Sequence, residues 1–339
     1  MECNDLLTQV SATDIDEHYA KNKWGKSARH YDPGGAITAR AGSLIFRFNP
    51  FLLQSLSPIF RDMFGVIQSP TDGSPMRPMV LQDNAEEFKA LMDWIFHENL
   101  TPQAWLFCLS KATKYYIKPA RNEAIVHVWN SSLPAYAKLR LARRYRISQW
   151  IAPCMLELFK IPQQQWTANL IVHVGADVSA ICIRTGAKLQ AWRFQTAWAS
   201  PVFIHDMLAP CAKSRKLKDL CEANWLPTWR AVMSPLRAEV LPGYKIPDIS
   251  GRQQLDVLEK FEIPDLDPRC KALSIAKLKR ERTMLEDEDL KILAVAEGIE
   301  ACNLLDWDQE YDNFQMESAS AIAEGVLPPG DILELALVA

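Results

Sequence analysis

Between residues 44 and 96 each joint of a strand–helix–helix–strand–helix unit is marked by its own local chemistry, and that order constrains the fold more than any other feature. Leu44, Phe46 and Phe48 alternate with Ile45 and Arg47, the period of two of a strand with one face buried. Asn49-Pro50 sets a capping side chain before a first-turn proline. Ser57-Pro58 repeats the device, and Gly65 stands where the second helix would end. After an insert rich in Ser, Pro and Gly, Met79, Val80 and Leu81 form a short apolar run. Asp83 and Asn84 can cap the next helix, with Glu86 and Glu87 in its first turn. Phe88, Leu91, Met92, Ile95 and Phe96 then recur at helical spacing as one apolar stripe. Upstream, Ile37, Ala39 and Ala41 alternate with Thr38 and Arg40, and Gly42 allows a tight reversal into the 44–48 strand, a hairpin.

These residues together resemble the core of the BTB/POZ domain: Phe46, Leu53, Ser57, Phe60, Met63 and Phe64, then Leu81, Asp83, Phe88, Leu91 and Ile95. The resemblance covers residues 30–130, and the wider spacing is similar to that of fungal BTB-domain proteins with a helical C-terminal extension. The chain departs from the pattern at Ala36, where the family usually opens its first strand with Asp, and at Asn49, where it often has His. Pocket functions of other members therefore do not transfer. The resemblance implies an α+β N-terminal domain, a small sheet covered by helices, followed by an all-α extension, predominantly α overall. It further implies a non-enzymatic protein–protein interaction role, with self-association into a homodimer or binding of another protein. Phe48, Phe51 and Leu52 are the expected interaction surface. A role as substrate adaptor for a cullin-RING ubiquitin ligase, with a cullin as partner, is compatible with it.

A chain of 339 residues has room for two domains. Composition divides it into a polar N-terminal extension over 1–30, the BTB-like domain over 31–133, a helical domain over 134–305 and a C-terminal tail over 306–339. Within the helical part, prolines at 201, 210, 227, 235 and 242 are expected to cut the chain into short helices. The Pro/Gly-rich stretch 242–251 reads as a linker. Residues 112–117 and 142–147 share the order Ala, a base, Tyr and Ile, which predicts two helix ends presenting similar edges to one core.

Several function classes lose support. A net charge of −3 argues against a dominant nucleic-acid or anionic-membrane surface. The N-terminus lacks a basic start followed by an apolar core, and no apolar run has the ~18–20 residues of a membrane span. The expected location is intracellular, in cytoplasm or nucleus, with no membrane and no nucleic acid among the partners. Neither GxGxxG nor GxxxxGK[ST] occurs, so no nucleotide cofactor is implied. The expected cofactor set is empty, with no catalytic or metal residues assigned.

The remaining constellations have structural explanations. The cations of residues 277–282 and the anions of 286–289 fit two helix ends meeting at a capping box, Thr283 to Glu286. Lys138, Arg140, Arg143, Arg144 and Arg146 alternate with Leu139, Ala142 and Ile147 as a solvated helix face would. Eleven tryptophans are spread evenly, as core anchors are. Eight cysteines and six histidines show no C-x-x-C or paired His/Cys spacing, so a zinc site has little local support and the thiols read as small buried apolar groups. Two alternatives stay open. One is an enzyme whose site assembles from dispersed His, Cys and Asp residues of the helical half, His127, His173 and His205 among them. The other is a nucleic-acid-binding or transcription-related regulator using the 138–146 cluster.

Overall fold

A computed structural model describes residues 11–65, 72–199, 201, 203–233, 250–281, 284 and 286–304. The chain divides into two compact units, the first reaching Leu133 and the second running from Pro134 to Leu304.

The first unit is α+β. Strands β1 (Gly25–Tyr31), β2 (Ile37–Ala41), β3 (Leu44–Phe48) and β4 (Met79–Leu81) form one mixed sheet in the order β1-β3-β2-β4. β2 and β3 are an antiparallel hairpin with Ile37 opposite Phe48, turning at Gly42, whose φ of 55° suits a residue without Cβ. β4 runs parallel to β2, and β1 parallel to β3. Two short helices, α2 (Pro50–Leu56) and α3 (Pro58–Gly65), separate β3 from β4. Three longer ones follow: α4 (Ala85–Ile95), α5 (Pro102–Lys114) and α6 (Lys118–Trp129). Their starts are fixed by side chains. Asn49 Oδ1 accepts from the Phe51 N–H (3.0 Å), Asn84 Oδ1 from Glu86 N–H (2.8 Å) and Thr101 Oγ1 from Ala104 N–H (3.2 Å).

One face of the sheet carries the aromatic core. Phe46 meets Phe88 edge-on with centroids 4.9 Å apart, and Phe48 packs against Phe64. Phe60 stacks on Tyr115 at 4.3 Å. Each fully buried ring of this kind contributes roughly 1.5–3 kcal/mol. Phe96, the expected end of the α4 stripe, is instead exposed; it closes the helix as its cap residue and stacks on His30.

Residues 11–30 are not an extension lying outside this unit. Helix α1 (Ala12–Lys21) starts at a capping box in which Ser11 and Asp14 exchange hydrogen bonds (both 3.1 Å). Its Ile15 and Tyr19 close over Ile45, on the side of the sheet opposite Phe46. Ile45 is thus fully buried rather than solvent-facing, and β3 is covered on both faces. β1 is fixed in turn by His30 Nε2, 2.7 Å from Asp93 Oδ1 on α4. The sequence conceals this cover because only two of the ten α1 residues turn inward.

The second unit is all helical: α7 (Ala135–Tyr145), α8 (Ile151–Leu158), α9 (Ala168–Val174), α10 (Ala176–Trp198), α11 (Arg215–Met233), α12 (Gly251–Lys260), α13 (Pro268–Arg280) and α14 (Glu286–Cys302). α14 packs along α8 and α10. Contact is so close at Gly298 that a Cβ there would lie 2.1 Å from Met155 Sδ. A second core gathers Trp225, Trp229, Leu255, Leu258, Ile275 and Leu278 around three cysteines. Pro227 does not end α11, contrary to expectation. Buried Trp225 and Trp229 hold the helix on either side of it, and the Trp229 indole donates to Thr196 O (2.9 Å). The Lys271 ammonium donates to the carbonyls of Glu259 (2.7 Å) and Phe261 (2.5 Å), closing the end of α12 with a cation.

The paired Ala-to-Ile stretches are one cap motif used twice. Ile117 N–H bonds to Ala112 O (2.9 Å) and Ile147 N–H to Ala142 O (2.8 Å), with Tyr116 and Arg146 at positive φ between them. Both isoleucines are buried. They serve two units rather than one core, since α5 belongs to the first and α7 to the second. The change of charge sign likewise falls between α13 and α14, which opens with Glu286, Asp287, Glu288 and Asp289. Thr283 and nearly all of the 242–251 stretch lie outside the described residues, as do residues 1–10 and the 306–339 tail. Among the described residues no single helix is long and apolar enough to cross a membrane.

Candidate functional site

The three residues expected to form an interaction surface part company. Phe51 is 70% exposed and Leu52 37%, both on α2, whereas Phe48 is 2% exposed. Phe48 is therefore core and not surface: it points to the same side of the sheet as Phe46 and packs on Phe64. On α2 the neighbouring Leu53 is fully buried, so this one-turn-and-a-half helix anchors itself by Leu53 and turns an aromatic ring and an isobutyl group outward. Phe51 and Leu52 together form a small exposed apolar spot on α2.

Behind α2 and α3, polar side chains tie the unit together. Ser57 Oγ donates to Tyr115 O (2.5 Å) and accepts from Phe60 N–H (3.1 Å), joining the α3 start to the α5 end. The Asp83 carboxylate, wholly enclosed, accepts from Lys111 (2.7 Å), Lys114 (2.8 Å) and the Tyr115 hydroxyl. Burial alone would raise the Asp83 pKa, but the hydrogen bonds from Lys111, Lys114 and Tyr115 outweigh it and hold the carboxyl below its ordinary value. Burial would lower Lys111, and its bonds to Asp83 and Glu87 reverse that, so its pKa is raised. This network is a closed set of opposite charges, built to hold and not to react.

The histidines offered for a dispersed active site sit in different surroundings. His127 stacks on Trp105 at 4.0 Å, and His173 lies parallel to Tyr136 at 6.0 Å. In the basic cluster Arg143 turns inward and donates to Val174 O (2.8 Å), at the point where a Cβ on Gly175 would collide with its guanidinium. Arg144 lies over the Tyr145 ring.

His205 is different. Its Nδ1 lies 3.5 Å from Cys211 Sγ and 4.0 Å from Cys270 Sγ, and those two sulfurs are 3.3 Å apart. With Cys221 the four donor atoms all fall within 4.8 Å of one another. The three cysteines are 3%, 2% and 0% exposed, and the imidazole is nearly covered. His205 Nε2 lies 3.0 Å from Glu222 Oε1. A carboxylate can only accept, so Nε2 is the donor to Glu222 and the ring turns Nδ1 toward the sulfurs. Backbone amides complete the surroundings: Asp206 N–H points to Cys270 Sγ (3.3 Å) and Asp267 N–H to Cys221 Sγ (3.4 Å). Burial first, then hydrogen bonding with Cys270 and Cys221, pushes the Cys211 thiol up to about 12. Elsewhere Cys108 and Cys154 are solitary buried thiols, raised by burial to about 12 and about 11.

Comparison of the chain with protein-family models, curated proteins and solved structures found no match. The meaning of both sites therefore rests on their own geometry.

Reading the sequence for paired ligands missed the second site because its members are separated by five, nine and forty-eight residues. Cys211 sits on a 3-10 turn (Pro210–Lys213), Cys221 on α11 and Cys270 on α13. One local signal was present. Asp267-Pro268-Arg269-Cys270 is a capped helix start with a thiol in its first turn, where the backbone N–H groups favour a thiolate.

Proposed function

We propose that this chain is a non-enzymatic protein–protein interaction module, with a BTB/POZ-like α+β unit that associates with itself or with another protein through the α2 surface. The observation that carries the reading is the outward placement of Phe51 and Leu52 on a helix anchored by Leu53. Aromatic side chains, Phe among them, are enriched at the cores of protein interfaces. The order of elements adds support: strand β3, the helix pair α2–α3, strand β4 and helix α4 follow the succession from which the resemblance was drawn. The residues that carry it, among them Leu53, Ser57, Phe60, Leu81, Asp83, Phe88 and Leu91, are core or network residues. They speak for the fold, while the partner is decided on the surface.

Size-exclusion chromatography with light scattering, on the whole chain at micromolar concentrations, tests self-association. A dimer that Phe51→Asp converts to monomer, with an unchanged circular dichroism spectrum, is the expected result. A wild-type chain that stays monomeric turns the test to other partners. Affinity purification from the native cell with wild-type and Phe51→Asp baits then reads whether any partner, a cullin among them, depends on this surface. Identical partner sets for the two baits from a monomeric chain would end the proposal.

A further inference from the structure

We propose that His205, Cys211, Cys221 and Cys270 bind one Zn2+ ion as a closed structural centre of the helical unit. This stands apart from the interaction role and does not depend on it. Tetrahedral zinc with Zn–S of about 2.3 Å and Zn–N of about 2.0 Å requires S···S separations near 3.8 Å and S···N separations near 3.6 Å. The cluster shows 3.3 Å between Cys211 and Cys270, 3.5 Å from Cys211 to His205 and 4.0 Å from Cys270 to His205. These three separations come within about 0.5 Å of such edges, and Cys221 Sγ lies within 4.8 Å of the other three donors. A Cys211–Cys270 disulfide would need its sulfurs at about 2.0 Å and would leave Cys221 and His205 without a role.

The surroundings point to a metal independently of the ligands. Glu222 on His205 Nε2 is the carboxylate–histidine arrangement that fixes the tautomer and raises the basicity of a ligating imidazole. The Asp206 and Asp267 amides aim at two of the sulfurs, as donors to thiolates do. Cys270 occupies the third position of α13, near the positive end of its dipole. Three thiolates and an imidazole select a soft or borderline ion over calcium or magnesium, and tetrahedral S/N ligation suits zinc. Four protein donors fill its coordination sphere, leaving no place for water or substrate, so the centre is structural rather than catalytic. On binding, the three thiols release their protons to solvent and His205 remains neutral, giving a centre of net charge −1. The ion would tie the 203–209 segment, the 3-10 turn, α11 and α13 together, across as many as 65 residues of chain between His205 and Cys270.

The test uses the full chain, expressed with zinc in the medium and purified under reducing conditions, with metal content read by inductively coupled plasma mass spectrometry. One zinc per chain is expected. Exchange for Co2+ should give the intense visible d–d bands and thiolate charge-transfer absorption of a tetrahedral sulfur site. Cys211→Ser with Cys270→Ser should reduce zinc to background. Cys182→Ser with Cys302→Ser, buried thiols of the same unit outside the cluster, should retain it. A metal-free wild-type chain, a cobalt spectrum of octahedral oxygen ligation, zinc retained by the Cys211/Cys270 variant, or a Cys211–Cys270 disulfide in a non-reduced peptide map would each overturn the proposal. Were the Cys211/Cys270 variant insoluble, the wild-type stoichiometry and cobalt spectrum decide alone.

Discussion

Both units close buried carboxylates with side-chain partners, Asp287 with Lys291 in the helical one, but among the described residues only the helical unit also encloses a cluster of sulfurs. In the α+β unit each enclosed carboxylate is neutralised by side chains: Asp83 by Lys111, Lys114 and Tyr115, and Asp93 by Lys89 and His30. In the helical unit the enclosed sulfurs of Cys211, Cys221 and Cys270 face one another, the His205 imidazole and two backbone amides. The first arrangement is complete with what the chain itself supplies. With the proposed Zn2+ bound, the second is completed by a cation from outside. On that proposal one unit folds on its own charges, and the other draws on the supply of an ion.

That contrast can be broken by experiment. The largest expected effect is metal removal. A strong chelator at neutral pH should destabilise the helical unit by as much as about 10 kcal/mol, the lower end for structural zinc peptides. The α+β unit should keep its unfolding transition. Because Phe203 bridges His205 and Trp225, tryptophan fluorescence should report the loss directly. Co-operative loss of both units would sink the comparison.

The mirror experiment is Asp83→Ala, which takes the enclosed partner from Lys111, leaving it Glu87, and should cost up to about 3–5 kcal/mol by urea denaturation. Its pH dependence has a definite sign. Asp83 has a depressed pKa, so its contribution is present above the ordinary carboxylate value and disappears as pH falls through the lower, folded value. Lys111 has a raised pKa, so its share is present below the ordinary lysine value and disappears as pH rises through the folded one. Between those limits wild-type stability from this network should be flat. A slope near neutrality would contradict it.

Ile45→Ala should cost about 2–5 kcal/mol as a buried large-to-small change under α1. A solvent-facing strand residue would give no more than about 0.5 kcal/mol, so thermal denaturation separates the two outcomes cleanly. Ser57→Ala removes the tie to Tyr115 and should cost about 1–3 kcal/mol. Smallest of all, Phe51→Ala should leave stability within about 0.5 kcal/mol while weakening association. A large loss of stability there would mean the ring is packed and not free.

What the sequence made legible was local. Asn49 and Asn84 act within two residues of themselves, and each caps the helix expected of it. The alternation at 44–48 gave the strand, yet it gave only one of its covered faces, since the cover for Ile45 comes from α1 and carries just Ile15 and Tyr19. Pro227 was misread because propensity speaks of an isolated helix, while Trp225 and Trp229 bury this one on both sides of the proline. Phe48 was placed on the surface by its nearness to Phe51, although the two lie on opposite sides of a helix cap. The His/Cys cluster was the least legible, because its ligands come from four places along the chain and meet only after α11 and α13 have packed.

The pairing of β1 with β3, past the intervening β2, has a consequence for the order of events during synthesis. Residues 12–31 leave the ribosome before β3 exists, and they have nothing to rest on until residues 44–48 emerge. The segment made earlier is thus the one that docks later, and its small apolar face stays open to chaperones or to a neighbouring chain throughout the interval. A pause in translation just before β3 would lengthen that exposure, and it would leave β2 unpaired for the same interval, since both strands wait for residues 44–48.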